Sequence, residues 1–311
     1  MIENAPQSLR VLRPEQREFY LANGYLLVDR LIDADVIADL NAVTDAFVDR
    51  SCAKSRSDTD FDLAPEHNAT APKVRRIKRP DEQHPLYWDV AVGVIADVVA
   101  DLIGPDVVYH HSKLNFKWHG GTDGGDDTVA WHQDIQFYPH TNYSPLTVGI
   151  YLRDTGPEDG PLTVLPGSHD GPLFDQYDGD GNWTGCLSEA DSATLDVSGA
   201  VELCGAAGSI TIHNCRTVHS SPPSKRANGR PLLLHAYAAG DAYAYTAHPD
   251  PSCHAYEVVR GQRARWARHD PRPCLLPPDW SGGYTSIFAA QTGEGAVPVA
   301  DQVVTRTGGG K

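Results

Sequence analysis

The sequence predicts a mainly β fold, a β-sandwich or jelly-roll core with helical buttressing. Three observations carry this. Short apolar runs recur between residues 106 and 240, separated by turns rich in Gly and Pro. The run at 106–118 alternates with period two, as a strand with one buried face does. Helical periodicity, by contrast, is gathered near the N-terminus, so helices flank the strands as a separate layer.

Pro14 to Asn23 reads as a short helix with proline early and Gly24 as its stop, and Tyr25 to Val28 as a strand. Asp33 can cap a longer helix, in which Val36, Ile37, Leu40, Val43 and Phe47 follow helical spacing. Ser51 to Pro72 is polar and aperiodic, which predicts a loop. The basic cluster Lys73 to Arg79 is either a solvated strand face or a source of one cation for an anionic cosubstrate. Leu86 to Ile103 is helical in pattern and ends at Gly104-Pro105. Asp106 to Trp118 then places His111, Lys113, Asn115 and Lys117 on one strand face and Ser112, Leu114, Phe116 and Trp118 on the other. Packing the apolar face on the core turns the polar set either to solvent or into a wet cavity.

His119 to Thr128 is a Gly- and Asp-rich loop, of the kind that admits substrate at the mouth of a site. Leu146 to Leu152, Leu162 to Leu165, Val201 to Leu203, Ser209 to His213 and Pro231 to Ala238 read as strands. Asp170 to Gly199 is too long for a bare connection and reads as a lid or functional insertion with some helix of its own. The tail, with Tyr243, Tyr245, Trp266, Trp280 and Tyr284, is expected to cover the barrel mouth or form a contact between two copies of the chain. Residues 1–311 are thus read as one domain: a helical buttress over about 14–104, a core over about 106–240 and an extension over about 241–311.

With 41% hydrophobic and 22% charged residues, the chain has the composition of a soluble globular protein able to bury a large core. Its formal charge of -15 argues against nucleic acid or an anionic membrane surface as partner. Met1 to Arg10 lacks the apolar core of a secretory signal, and no segment approaches the ~18 apolar residues of a membrane span, so a cytoplasmic location is expected. The six cysteines form no C-x-x-C pair and are expected to be free thiols.

The chemistry concentrates in Trp131-His132-Gln133-Asp134. In an extended chain His132 and Asp134 share a face and Gln133 points away, so one imidazole and one carboxylate converge. That is two thirds of the facial triad that holds non-heme iron(II). His213 and His219 are both candidates for the second histidine. Arg230 decides for His219: it opens the strand that follows, eleven residues on, where a hairpin returns it beside His219. Arginine is the side chain suited to gripping a carboxylate through two parallel hydrogen bonds.

The set His132-x-Asp134, Pro166-Gly167-Ser168-His169, His219-x-Ser221 and Arg230 resembles the phytanoyl-CoA dioxygenase family of Fe(II)/2-oxoglutarate-dependent oxygenases, over about Lys113 to Ala238. The resemblance implies a double-stranded β-helix, or jelly roll, with His132, Asp134 and His219 on iron. It implies that Arg230, aided by Ser221, binds the distal carboxylate of 2-oxoglutarate, with Asn115 and Lys78 as further cosubstrate contacts, Lys78 by its approximate distance from the motif. The reaction it implies couples oxidative decarboxylation of 2-oxoglutarate by O2, giving succinate and CO2, to oxidation of a substrate C–H bond; ascorbate is the expected helper in vitro. Asp134 favours hydroxylation, desaturation or ring formation over halogenation, since related halogenases carry a small residue there. Gly149 and Ile150 depart from relatives that place a tryptophan over the cosubstrate.

Gln133, Lys113, Tyr138 and Trp131 are the candidate substrate contacts, and His140 and His169 read as turn residues. The polar loop before His132 and the lid suit a small polar metabolite better than a long acyl chain. The competing readings are a metal-dependent hydrolase using the same ligands and a non-enzymatic jelly-roll binding protein. A hydrolase has no use for a carboxylate clamp at Arg230, and intact ligands argue against the second.

Overall fold

Two antiparallel sheets stack face to face to form the jelly roll, with the helices packed on the outer side of the larger one. The structure is a computed structural model and describes residues 8–118, 127–226, 229–278 and 287–292. Most of the loop expected at 119–128, and Trp280 and Tyr284 of the tail, lie outside the described residues.

The N-terminal half runs α1 (Pro14–Asn23), β1 (Tyr25–Val28), α2 (Ala34–Ser51), β2 (Phe61–Leu63), β3 (Val74–Lys78), α3 (Pro80–Gln83), α4 (Pro85–Val92), α5 (Val94–Ile103) and β4 (Val107–Lys117). Gly24 stops α1 in the left-handed region, at φ 76°, and its amide donates to the Tyr20 carbonyl. On α2 the positions Ile37, Leu40 and Phe47 are buried, as their spacing predicts. The helix expected over Leu86–Ile103 is two helices instead, because the backbone of Gly93, at ψ -134°, leaves the helical region between α4 and α5. β2 is a short strand inside the segment expected to be loop, paired with β3 of the basic cluster. The carboxylate of Asp101 on α5 accepts the amides of Arg10, Val11 and Leu12 and so pins the incoming chain to the helices.

The rest follows as β5 (Val129–His132), β6 (Leu146–Tyr151), β7 (Leu162–Val164), α6 (Glu189–Thr194), β8 (Val201–Leu203), β9 (Ile210–Asn214), β10 (His219–Ser221), β11 (Arg230–Ala239), β12 (Val258–Arg260) and α7 (Ile287–Thr292). The large sheet has the order β1-β9-β6-β11-β4-β3-β2, with β12 also on β4, and the small one β5-β10-β7-β8. The main apolar core lies between the large sheet and the helices, around Leu40, Phe61, Tyr87, Ile95, Leu114 and Ile150. That leaves the opposite face of the large sheet for the space between the sheets. The polar face of β4 looks into it: of the two options open for Lys113, Asn115 and Lys117, the structure takes the wet cavity. α6 gives the 170–199 segment the helix expected of it, and α7 brings Ile287 and Phe288 to the cavity wall.

Candidate active site

The site forms where the chain crosses from one sheet to the other. β9 ends at Asn214 in the large sheet and β10 begins at His219 in the small one, so the intervening turn sets His213 and His219 in different layers. On the small sheet His219 pairs directly opposite His132 across the β10–β5 ladder, and their rings lie 4.0 Å apart. Gln133 is extended, at φ -124° and ψ 128°, and the chain then tightens into a 3-10 turn at Asp134–Gln136. This returns the Asp134 carboxylate toward the two imidazoles. Nε2 of His132 and Nε2 of His219 each lie 3.8 Å from Asp134 Oδ1, and the three side chains present one donor atom apiece within 4.8 Å of one another.

Each member is held in the protonation state a metal requires. Nδ1 of His132 contacts the Ala130 carbonyl at 2.9 Å and Nδ1 of His219 the Thr217 carbonyl at 2.9 Å, so Nδ1 carries the proton and Nε2 keeps its lone pair. Burial pushes the His132 imidazole down to about 4 and holds His219 well below its ordinary value, so both are neutral at physiological pH. Burial alone would raise Asp134, but the Lys113 ammonium and the hydrogen bond from His213 outweigh it and hold the carboxyl well below the usual range. Its Oδ2 accepts from Tyr138 Oη at 2.9 Å, Thr147 Oγ1 at 2.9 Å and His213 Nε2 at 3.2 Å, which leaves Oδ1 facing the imidazoles. His213, the rejected alternative to His219, is thus an orienting partner of the carboxylate. Two neutral imidazoles and a carboxylate, all buried, match the donor set of a non-heme iron(II) centre.

From this centre a chamber extends toward Arg230, Ser221, Asn115 and Lys117, with Leu162 and Phe288 among its apolar walls. Arg230, 4% exposed, donates to the Gly160 carbonyl, and no carboxylate lies within salt-bridge distance of it among the described residues. Lys117 donates to the carbonyls of Asp127, Ser221 and Pro222, tying the end of β10 to β4, and Arg230 pairs with Lys117 across the β11–β4 ladder. β10 and β11 lie in different sheets, so Arg230 reaches the chamber from β11 beside β4 and not through the hairpin with His219 that the sequence suggested. A second chamber opens on the other side of Asp134, lined by Arg76, His111, Lys113, Tyr138, His248 and Ile287. Lys113 lines both chambers.

Of the residues singled out from sequence, Asn115, Lys113, Ser221, Arg230 and Tyr138 reach a chamber, and Lys78, Trp131 and Gln133 do not. Lys78 pairs opposite Lys113 on the β3–β4 ladder, and its side chain donates to the Asp58 carbonyl at 3.0 Å. Trp131 is half-buried, and its carbonyl accepts the Leu187 amide. Gln133 is fully buried and binds the Pro172 and Arg216 carbonyls and the Phe174 amide, so it anchors the segment at 172–174 and the turn at Arg216. Sequence reasoning missed Arg76, Thr147 and His248. Arg76 was visible only as one of several cations in its cluster, and nothing local marks His248.

Comparison with known proteins agrees with this geometry. The phytanoyl-CoA dioxygenase (PhyH) family profile matches residues 20–231. A Stutzerimonas stutzeri protein named "probable alpha-ketoglutarate-dependent hypophosphite dioxygenase" is 28% identical over 284 residues, 89% of this chain and 96% of its own. An ectoine dioxygenase of Sphingopyxis alaskensis is 26% identical over 66% of this chain and 70% of its own. The structure of EctD from S. alaskensis with 2-oxoglutarate and 5-hydroxyectoine superposes with a TM-score of 0.61 at 22% identity, covering 86% of this chain and 90% of that one. An alternative reading as a hydrolase or a non-catalytic jelly roll falls away. The chain belongs to the phytanoyl-CoA dioxygenase family and is an iron(II)- and 2-oxoglutarate-dependent dioxygenase.

Proposed function

We propose that His132, Asp134 and His219 hold the iron, that Arg230 and Ser221 hold 2-oxoglutarate in the first chamber, and that the enzyme oxidises a small anionic metabolite seated in the second. Iron bound by two imidazoles and a carboxylate keeps open positions for the keto-acid and for dioxygen, and supplies the oxidising chemistry. The chain's own residues do the rest. Arg230 offers a buried guanidinium to a distal carboxylate, and Ser221 a hydroxyl beside it. Asn115 contributes an amide to the same chamber, with its oxygen occupied by Arg76 Nε at 2.9 Å. Ile287 and Phe288 close the apolar side and keep water off the reacting atoms.

The observation that carries the substrate class is the pair of cations in the second chamber. Lys113 makes no hydrogen bond or ion pair among the described residues, and Arg76, 5% exposed, has no carboxylate within salt-bridge distance there. Arg76 is buried and Lys113 half-buried, and a chamber that gathers two cations around the single carboxylate of Asp134 favours a ligand that brings further negative charge. The lining offers Tyr138, His111 and Ser112 as hydrogen-bonding groups and no long apolar channel. The relatives named for hypophosphite, ectoine and L-proline also act on small polar compounds. The test is substrate-stimulated succinate release across a panel of small oxyanions, phosphonates, amino acids and acyl-CoA thioesters. Stimulation by small anions, lost in Arg76→Leu with 2-oxoglutarate affinity kept, is expected. Turnover of acyl-CoA with no response to small anions would sink the reading.

We propose a cytosolic enzyme, as no helix among the described residues is long and apolar enough to cross a membrane. The exposed Trp266 and Leu276 of the extension are proposed as the contact of a homodimer, which light scattering at two concentrations tests.

A further inference from the structure

A second group of histidines lies next to the second chamber, on the far side of Tyr138 from the proposed iron site. His110, His111 and His248 present nitrogen atoms within 4.8 Å of one another, as close a set as His132, Asp134 and His219. Two neighbours on a strand normally point to opposite faces. Here they do not, because of a bulge in β4: His111 pairs with Ala236 and Tyr109 with Tyr237, which leaves His110 as the extra residue with no partner on β11. The bulge brings His110 Nδ1 within 2.7 Å of His111 Nδ1. His248, from the C-terminal extension, stacks on His111 with ring centres 4.1 Å apart and stands edge-on to His110 at 5.3 Å.

His140 supplies an independent observation. It is 2% exposed, its ring centre lies 5.0 Å from that of His110, and its Nε2 has no hydrogen-bond partner. Its Nδ1 contacts the Tyr138 carbonyl at 2.6 Å, the same contact with a carbonyl two residues earlier that prepares His132 and His219. The proton therefore sits on Nδ1, and Nε2, on a ring whose centre is 5.0 Å from that of His110, keeps a buried lone pair without a donor to satisfy it. Nδ1 of His248 lies 2.7 Å from the Asp250 carbonyl and accepts the Asp250 amide at 3.1 Å, which leaves Nε2 without a backbone contact among the described residues.

We propose that His110, His111 and His248, completed by His140, form a second metal site that takes a borderline divalent cation of the zinc or nickel kind and ties the C-terminal extension to the jelly roll. An all-imidazole set selects such ions and rejects calcium and magnesium, which need oxygen donors. Burial keeps these imidazoles neutral at physiological pH, the form that binds metal, with His140 pushed down to about 4 and His248 to about 3. Arg76 and Lys113 nearby oppose a cation, so the imidazoles carry the binding. The bound ion would join β4, the turn at His140 and the segment at His248, adding a direct link to the β12–β4 pairing, the bridge between His140 and Ala244 and the backbone hydrogen bonds that already hold the extension.

The test counts zinc bound to the full chain at micromolar concentration after gel filtration. A variant with His132→Ala and His219→Ala, which lacks the proposed iron ligands, is expected to keep about one zinc per chain and to melt at a higher temperature with zinc than without. Adding His248→Ala to it should abolish both. Cobalt(II) in place of zinc should give a visible d–d band without thiolate charge transfer, since no cysteine belongs to the set. In the otherwise unaltered protein, His248→Ala alone should lower the zinc count by one, which covers failure of the multiple variants to fold. No zinc retained by the first variant, or a count unchanged by His248→Ala, would overturn the proposal.

Discussion

Asp134 carries more of the site's organisation than any other side chain. Three donors on Oδ2 fix the plane of the carboxylate, and the remaining oxygen is left to face His132 and His219. Partners of this kind typically shift metal affinity by about 10- to 100-fold when removed. Tyr138→Phe deletes one of the three without changing ring volume, so iron(II) affinity should fall by about that range while the fold is kept. Titration with iron(II) under anaerobic conditions, with circular dichroism as control, reads this out. His132 and Asp134 were legible because an extended dipeptide step places them on one face, and Arg230 because an arginine opening the strand eleven residues after His219 suits a carboxylate. The functions of Trp131 and Gln133 were not legible. Their neighbours in the chain say nothing of Pro172, Phe174, Arg216 and Leu187, which contact them from far along the sequence.

At the scale of elements, the end of β10, the start of β11 and the turn at Gly160 build the Arg230 end of the first chamber. Gly160 adopts φ +67°, a conformation L side chains rarely take, and a Cβ there would fall 2.5 Å from the Pro222 carbonyl oxygen and 2.7 Å from Lys117 Cδ. Its own carbonyl accepts from Arg230. Gly160→Ala should therefore weaken 2-oxoglutarate binding through displacement of Arg230, and cost about 1–3 kcal/mol of stability, the usual range for overpacking and for strained backbone. The KM for 2-oxoglutarate and a urea melt check the two effects separately. Strand positions were legible because their periodicity is local. The helix break at Gly93, the 3-10 turn at Asp134 and the bulge at His110 were not, since tertiary packing selects each among conformations the local sequence permits.

The whole molecule buries an unusual amount of imidazole in the space around the two chambers, and this sets its response to acid. Burial lowers His132 and His140 to about 4, and His235 and His248 to about 3. The folded values lie below the unfolded value of about 6.5, so the unfolded chain takes up protons first. Stability present above pH 6.5 is lost as pH falls toward 4 and 3, on the order of a few kcal/mol per histidine. Urea denaturation of metal-free protein between pH 7 and 4 should show a midpoint that falls steadily with pH, and bound iron(II) should delay the fall; a flat profile would contradict the buried neutral state. The sheet-to-sheet crossing that unites His132, Asp134 and His219 with the Arg230 chamber is the central claim, and anaerobic absorption spectroscopy tests it most directly. Iron(II) and 2-oxoglutarate added together should give a weak visible charge-transfer band. The band should be absent in His219→Ala and should demand far more 2-oxoglutarate in Arg230→Ala, by the equivalent of about 2–5 kcal/mol for one side of a buried charge pair. A full band in His219→Ala, or an unchanged 2-oxoglutarate titration in Arg230→Ala, would contradict it.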